Sequence, residues 1–421
     1  MHVLSAQNRT EFAAIPELVR LTLAQGMDSL EPTLLVKATS LSLKYLLRLQ
    51  CLRFVLLQAE PGWFSYGIEI SDDPDHPALV WSAMERADER AAIEALMVSP
   101  KCAVFLFNEA VINVAWAEIQ LDLSDSRARR IIGTSTFAPS DGSSETMMRK
   151  LFTDRDTGRA PESSIVKLEL PPVREWLPIT SKYISRRTNT SPISIFNEDE
   201  GGQQEELALW LTNSLHSNGA VRSPQIHEPK RPRELSDILL SYEYGTFLME
   251  SKTLSVMTRD VLPPRTKLTQ DLIKHLQKAT SQLAGGVKNI RRGYRVTDLS
   301  GEDVKVNSTH TPHVIVLVPD LSLLTRETSY GRDYFIRIMQ EIQAFLHILD
   351  LTELVRMVQA AEMIVEDNPE LTTIEAFDWY LMERAKVATQ ENTPHFSMLY
   401  RKPGQITVVT HRQAALSSHL A

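Results

Sequence analysis

Hydrophobic residues in the first half of the chain fall into short runs rich in aromatic and β-branched side chains, with Pro, Gly and Asp turns between them. Such runs are typical of strands. The runs are Phe54 to Leu57, Trp63 to Ile70, Ala78 to Ser82 and Ala103 to Phe107. A helix is predicted over Glu89 to Met97, because its apolar positions form one stripe and Asp88 can cap it. Helical spacing also occurs over Ile15 to Gln25 and Leu34 to Leu49, so we expect an N-terminal α+β domain with a mainly antiparallel sheet.

Two polar stretches interrupt this pattern. Ser135 to Ser164 is rich in Gly, Ser, Pro and Asp and lacks apolar periodicity, which predicts a loop. Arg186 to Gly202 is polar and ends in Gly-Gly, which is typical of a boundary between domains. We therefore expect an N-terminal domain over residues 1–195, a second domain over residues 200–330, and a mainly helical portion over residues 331–421 that can pack on the second.

After the second polar stretch, helical and strand spacing alternate. The predicted elements are a helix over Gln203 to Ser217, strands over Leu235 to Tyr242 and Thr246 to Ser251, a helix over Leu268 to Ala284, a hairpin of Tyr294 to Leu299 with Val304 to Asn307, and strands over His313 to Val318 and Phe345 to Leu349. The pair Gly285-Gly286 predicts the end of the second helix. This order of elements indicates an α/β unit with a mixed sheet.

Ionisable residues stand at the ends of the two central strands. Strand alternation places Leu248, Glu250 and Lys252 on one face, and hairpin pairing can bring Asp237 beside Glu250. Buried charges of this kind are costly unless they pair or bind an ion. Because two neighbouring carboxylates repel each other, a hard divalent cation such as Mg²⁺ would stabilise them.

The ordered set of an acidic helix, the Asp237 strand, the Glu250-Ser251-Lys252 strand and the following helix resembles the PD-(D/E)xK nuclease superfamily, over residues 203 to 320. The resemblance implies a restriction-endonuclease-like αβββαβ core. Ser236 stands where the motif has its proline, a position that is loose in the superfamily.

The resemblance also implies roles for individual residues. Asp237 and Glu250 would hold Mg²⁺, with Mn²⁺ as a substitute, and Lys252 would orient water and stabilise charge at the phosphate. Glu205 or Glu206 would complete the acidic cluster, and the sequence leaves the choice open. Two residues of the next helix would support the site, namely Gln282 and Lys278.

Charge is distributed unevenly along the chain. The net charge of -8 argues against a protein whose whole surface coats nucleic acid, yet residues 222–296 contain 14 Lys and Arg against 7 Asp and Glu. A local phosphate-binding surface is therefore predicted, with DNA favoured over RNA. Its candidate residues are Lys230, Arg231, Arg233, Lys278, Arg291, Arg292 and Arg295.

Other classes of protein receive little support. The apolar fraction of 43% and the charged fraction of 23% are ordinary for globular proteins. With only two cysteines, a disulfide framework is not expected, and no P-loop or His-Glu-x-x-His string occurs. No apolar run is long enough to span a bilayer and no secretory signal is visible, so a cytoplasmic protein without membrane contact is predicted.

The sequence, with this resemblance, therefore predicts a metal-dependent nuclease. The resemblance to restriction enzymes implies an endonuclease and a role in prokaryotic anti-phage defence or as a restriction-like effector. The alternatives are a DNA repair or recombination nuclease, and a nuclease-like scaffold without activity. The N-terminal domain is expected to sense, to target or to mediate contact with another copy or a partner protein. His310 and His313 are predicted to be an uninvolved loop pair.

Overall fold

The computed structural model shows a mixed α/β protein with mixed sheets and ten helices in the part of the chain that it describes. That part is residues 2–409 without 27–28, 51, 74–76, 139–142, 157–163, 185–189, 230, 325–329, 331 and 402–404. Within these residues, no helix combines the length and the apolar character that crossing a membrane requires.

The described part of the N-terminal half contains two larger sheets and one two-stranded sheet. Its helices are α1 Ala6–Ala14, α2 Ser40–Leu49, α3 Ala87–Val98, α4 Ser126–Gly133 and α5 Ser143–Asp156. Its strands are β1 Leu18–Gln25, β2 Leu30–Lys37, β3 Leu52–Leu57, β4 Ser65–Ile70, β5 Ala78–Ala83, β6 Lys101–Phe107, β7 Asn113–Gln120, β8 Ile165–Leu170, β9 Leu177–Pro178, β10 Ser181–Ile184 and β11 Thr190–Ile193. One sheet has the order β1-β2-β6-β7-β9 and the other the order β5-β4-β3-β8. Antiparallel pairing prevails in both, and β2 with β6 is the parallel pair among these described strands.

Three sequence predictions for this half were wrong. The helix expected over Ile15 to Gln25 is largely strand β1, and the helix expected over Leu34 to Leu49 is divided between β2 and α2. Both strands are buried over five consecutive residues, and such continuous apolar runs cannot be distinguished from buried helix by periodicity. The loop predicted over Ser135 to Ser164 contains helix α5.

The second half is built around a five-stranded sheet. Its helices are α6 Glu200–Thr212, α7 Arg265–Arg291, α8 Arg332–Ile342, α9 Leu351–Asp367 and α10 Thr373–Glu391. Its strands are β12 Val221–Arg222, β13 Gln225–His227, β14 Pro232–Glu234, β15 Ile238–Tyr242, β16 Gly245–Ser251, β17 Val296–Thr297, β18 His313–Val318, β19 Phe345–Asp350, β20 Ser397–Arg401 and β21 Gln405–Val409. The main sheet has the order β12-β15-β16-β18-β19, and β14-β13-β17 form a small separate sheet.

The main sheet is antiparallel on one side and parallel on the other. β15 pairs antiparallel with β12 and β16, whereas β18 runs parallel to β16 and β19. Side chains alternate between two cores: Leu248 packs in the core that contains α7, and Phe247 and Met249 pack in the core that contains α6, α9 and α10. An α/β unit with a mixed sheet was predicted from the order of elements, and that coarse prediction is confirmed.

Helix α7 does not end at Gly285-Gly286, as the sequence predicted, but continues to Arg291. A Cβ atom on Gly286 would lie 3.1 Å from Leu235 Cδ1 and 3.2 Å from the Leu235 carbonyl oxygen. A Cβ on Gly285 would lie 3.2 Å from an Arg233 Nη atom. The two glycines therefore permit close approach of the helix to the chain before β15, and this packing offsets the cost of about 1 kcal/mol for glycine inside a helix.

Candidate active site

Asp237 is fixed by its backbone at the point where β15 begins. Its N–H donates to the Met249 carbonyl at 3.1 Å, and its own carbonyl accepts from the Ser223 N–H at 2.8 Å. Its side-chain Oδ2 accepts from the Ser251 N–H at 2.6 Å. Because Ile238 pairs with Met249, the register puts Asp237 across from Glu250, at the carboxyl end of β16.

Glu250 and Lys252 form an ion pair at the same end of β16. Lys252 Nζ donates to Glu250 Oε2 at 2.7 Å, and the side chains are 16% and 4% exposed, respectively. The Lys252 N–H donates to the Leu317 carbonyl at 2.8 Å, which extends the contact between β16 and β18 by one residue. The ammonium group therefore stands at the rim of the sheet, where it is partly open to solvent.

The structure separates the two candidate glutamates of α6. Glu206 Oε2 accepts from the Tyr183 hydroxyl at 2.5 Å, and its Oε1 forms an ion pair with Arg222, so its carboxylate is fully engaged. Glu205 Oε2 lies 3.9 Å from Arg222, and the negative charge of Asp237 acts on it. The geometry therefore favours Glu205 as the α6 member of the acidic group.

The carboxylates of this group repel one another. Burial raises the pKa of Glu250 to about 7, and the charge of Asp237 adds to the rise while Lys252 opposes it. Burial also raises the pKa of Glu205 to about 7, again with a contribution from Asp237 and with Arg222 opposing. The pKa of Asp237 is raised by burial against the hydrogen bond from Ser251 and the charge of Lys252. Burial is the largest cause of each shift, and neighbouring negative charges add to it.

Glu234 belongs to the same electrostatic group, and the sequence reasoning missed it. Its charge contributes to the raised pKa values of Glu205, Asp237 and Glu250. It lies at the exposed end of β14, a strand too short to be predicted. The one signal available was an acidic residue three positions before Asp237.

Gln204 and Arg222 also act at the site without having been predicted. Gln204 Nε2 donates to Ser251 Oγ at 2.9 Å and approaches the Lys252 carbonyl at 3.4 Å. Arg222 is the counter-charge of both Glu205 and Glu206. Each of these contacts joins two separate elements of the fold, so local sequence patterns could not predict it.

Gln282 and Lys278 are exposed on α7. No hydrogen bond or ion pair between either side chain and Asp237, Glu250 or Lys252 is found in the described part of the chain. Their supporting role remains a prediction from the resemblance.

Some of the predicted phosphate-binding residues have partners within the protein, whereas others are exposed to solvent. Arg291 binds the side chain and carbonyl of Gln343, Arg295 pairs with Asp303 at 2.5 Å, and Arg233 pairs with Glu228. Arg231 and Arg292 are exposed, as is Lys278. Lys230 lies outside the described residues.

A preformed metal centre is not found: within residues 2–409, as far as they are described, no three His, Cys, Asp or Glu side chains have an arrangement that could hold a metal ion. Comparisons of the chain with profiles of known families, with curated proteins and with solved structures give no match. The functional interpretation therefore depends on the residues and geometry described above.

Proposed function

We propose that the protein is a metal-dependent nuclease of the PD-(D/E)xK type that hydrolyses phosphodiester bonds, with DNA as the substrate class. The observation that carries this proposal is the Glu250–Lys252 ion pair at the end of β16, with Asp237 across from Glu250 in the strand register and with the charge of Asp237 acting on Glu205 of α6. Carboxyl groups whose pKa values are raised by burial and by a neighbouring charge, in a partly open position, are typical of functional sites.

The order of elements supports the same proposal. Without the small sheet β14-β13-β17, the chain runs α6, β12, β15, β16, α7 and β18, which is the αβββαβ order that the resemblance implies. The acidic residues lie on α6, before β15 and on β16, as the superfamily pattern requires.

The residue types suit a hard divalent cation, although the described side chains are not arranged as a preformed metal centre. Carboxylate oxygens are the ligands that Mg²⁺ and Mn²⁺ prefer, and the excess negative charge among these carboxylates is what a cation would neutralise. Asp237, Glu250 and Glu205 would hold the ion, with Glu234 close enough to add charge. When bound, the ion supplies a nucleophilic water near neutral pH and compensates charge on the phosphate.

Lys252 is the residue that would face the phosphate. An ammonium group has three donor hydrogens, and the hydrogen bond to Glu250 uses one of them. The remaining donors can position water or neutralise a phosphate oxygen in the transition state. Asp237 contributes through its fixed orientation, because its hydrogen bond from Ser251 holds one carboxylate oxygen against the strand end.

The test combines ion binding with cleavage. Calorimetric titration of Mn²⁺ into the wild type should show binding, and Asp237→Asn should weaken it at least tenfold. Mg²⁺-dependent cleavage of duplex DNA, single-stranded DNA and RNA should be seen with the wild type and lost in the same variant. Asp333→Asn, at an exposed acid on α8, is the matched control and should leave both properties unchanged. A wild type that binds Mn²⁺ yet cuts none of the three substrates would favour the inactive scaffold, and absence of Mn²⁺ binding would refute the metal site.

A further inference from the structure

The segment that follows Lys252 is held by the N-terminal half of the protein. This connector, residues 253–264, leaves the sheet at the candidate site and leads to α7. Leu254 and Val256 are 2% and 0% exposed, and they belong to the same hydrophobic cluster as Leu41 and Tyr45 of α2. The connector therefore packs against a helix that is distant in sequence. Tyr45 of α2 contacts Pro263, which lies 218 positions further along the chain.

A nearly buried ion pair joins α2 to the connector through α6. Lys44 Nζ lies 2.6 Å from Glu200 Oε2, and the two side chains are 13% and 2% exposed. The other oxygen of Glu200 accepts from the Met257 N–H at 2.6 Å. Removing one member of a nearly buried ion pair leaves the other charge without a partner, which is costly. The Lys44–Glu200 pair therefore stabilises the relative positions of α2 and α6.

Two more side chains of α2 bind carbonyl groups of the connector. Arg48 donates to the Met257 carbonyl at 3.2 Å and to the Arg259 carbonyl at 2.5 Å. The Tyr45 hydroxyl donates to the Pro263 carbonyl. These contacts cover the middle and the end of a segment that has no helix or strand of its own, and such a segment is otherwise free to adopt many conformations.

The start of the connector is tied to the site itself. The Lys252 N–H donates to the Leu317 carbonyl, and Gln204 reaches both Ser251 and the Lys252 carbonyl. At the far end, Arg265 pairs with Asp72 of the N-terminal half at 3.1 Å. Contacts with α6 thus hold the start of the connector, and contacts with the N-terminal half hold its middle and its end.

We infer that Lys44, Tyr45 and Arg48 of α2 are positioning residues for Lys252, acting through the connector, so that the N-terminal domain completes the site rather than merely accompanying it. The catalytic consequence rests on the proposed function, whereas the mechanical link from α2 to Lys252 does not. Whatever binds the N-terminal domain and displaces α2 would then change the orientation of Lys252.

Two mild variants of the full-length protein test this link. Arg48→Met removes two hydrogen bonds from an exposed side chain, and Tyr45→Phe removes one hydroxyl from a buried ring. Hydrogen exchange of the connector amides should become about tenfold faster in each, because a lost hydrogen bond of this kind changes a local opening equilibrium by about that factor. Arg48→Lys should restore part of the protection. Arg90→Met, which removes contacts to Ser135 and Glu94 within the N-terminal half, should leave the connector unchanged.

Lys252 itself supplies a readout that does not depend on cleavage. Its rate of acylation by a dilute amine-reactive reagent should rise several-fold in Arg48→Met and Tyr45→Phe, because its contact with Glu250 would be held less firmly. Where the wild type cuts nucleic acid, kcat should fall about tenfold while KM stays constant. Unchanged connector exchange with unchanged Lys252 acylation in both variants would overturn the inference. A wild type without cleavage activity would count against the proposed function alone, since the exchange and acylation results still decide the link.

Discussion

The two ends of strands β16 and β18 both bury ionisable side chains, yet they differ in how the charges are balanced. At the carboxyl end, Asp237 and Glu250 lie beside Lys252. At the amino end, His313 Nε2 lies 3.1 Å from Asp378 Oδ1, and its Nδ1 lies 3.1 Å from His347 Nε2. The Tyr242 hydroxyl donates to the second oxygen of Asp378.

The electrostatics of the two ends are opposite. Burial alone would raise the pKa of Asp378, but the hydrogen bonds with His313 and Tyr242 prevail, and its pKa is lowered. Burial, together with the charge of His313, lowers the pKa of His347. At the carboxyl end the pKa values of Glu205, Asp237 and Glu250 are raised instead, with burial as the largest cause.

This difference separates a structural network from a candidate site. At the amino end each group has a complementary partner, so nothing further is needed to stabilise it. At the carboxyl end like charges face one another, and an added cation would lower their energy. Both ends contain ionisable groups, and the unbalanced charge at the carboxyl end is what makes it the candidate site.

The largest expected effect comes from removing the ammonium group at the carboxyl end. Lys252→Met should lower kcat for nucleic-acid cleavage by about a thousandfold, because the charge acts on the phosphate in the transition state. Lys101→Met, at an exposed lysine of β6, is the control. Tyr242→Phe at the amino end should retain cleavage. Comparable losses in Lys252→Met and Tyr242→Phe would remove the distinction between the two ends.

The second expected effect is on stability rather than cleavage. Asp378→Ala should reduce the free energy of unfolding by about 2–3 kcal/mol, since it leaves buried His313 and half-buried Tyr242 without their shared acceptor. Urea denaturation measures the change, with Glu370→Ala at an exposed position as the control. Cleavage per folded molecule should be unaffected. A variant as stable as the wild type would show that the amino-end network contributes little.

A smaller effect is expected on the pH dependence of the free energy of unfolding. The folded pKa of Glu250 is about 7 against an ordinary value of 4.5, so the folded state binds more protons between these two pH values. Its contribution to stability is therefore lost as the pH rises from 4.5 through 7. In the presence of EDTA, the free energy of unfolding should fall by about 1–2 kcal/mol more between pH 5 and pH 8 in the wild type than in Glu250→Gln.

Two comparisons sharpen the pH experiment. Glu94→Gln, at an exposed position of α3, should keep the wild-type pH dependence. Adding Mg²⁺ should stabilise the wild type more at pH 8 than at pH 6, because the ion competes with protons for the same oxygens. Identical pH profiles for wild type and Glu250→Gln would contradict the assigned charge imbalance.

The smallest expected effect is on DNA binding by the basic residues at the end of α7 and just after it. Replacing Arg291, Arg292 and Arg295 together by Ala should reduce the slope of log affinity against log salt concentration by about 1 rather than about 3. Arg291 and Arg295 already have protein partners, whereas Arg292 is exposed. Filter binding to duplex DNA from low to moderate salt gives the slope. A decrease of about 3 would show that substrate displaces the internal partners.

Local sequence patterns were sufficient to predict the central strands of the second half. Strand β18 begins and ends where the apolar run His313 to Val318 predicted, and β19 extends the predicted run by one residue. The neighbouring positions of Asp237 and Glu250 follow from alternation and hairpin pairing, both of which act over a few residues. His313 was expected in an uninvolved loop pair with His310, but it is buried within β18.

What sequence could not supply are contacts between distant segments. Glu234 and Arg222 reach the site through the fold of short strands, and the choice of Glu205 over Glu206 depends on Tyr183. Lys44 and Glu200 are separated by 156 positions, so no periodicity relates them. The Gly285-Gly286 pair was misread for a similar reason, because the need for close packing against Leu235 is a tertiary property.

The contact between Tyr45 and Pro263 also has a consequence for synthesis of the chain. The two residues are 218 positions apart, which a ribosome covers in roughly 10 to 40 seconds at ordinary elongation rates. Helix α2 therefore leaves the ribosome long before the connector does, and the surface that receives residues 253–264 is made first. Nascent Lys252 gains its final surroundings only when the chain has grown past α7 and β18, so a partly translated protein carries an unfinished site.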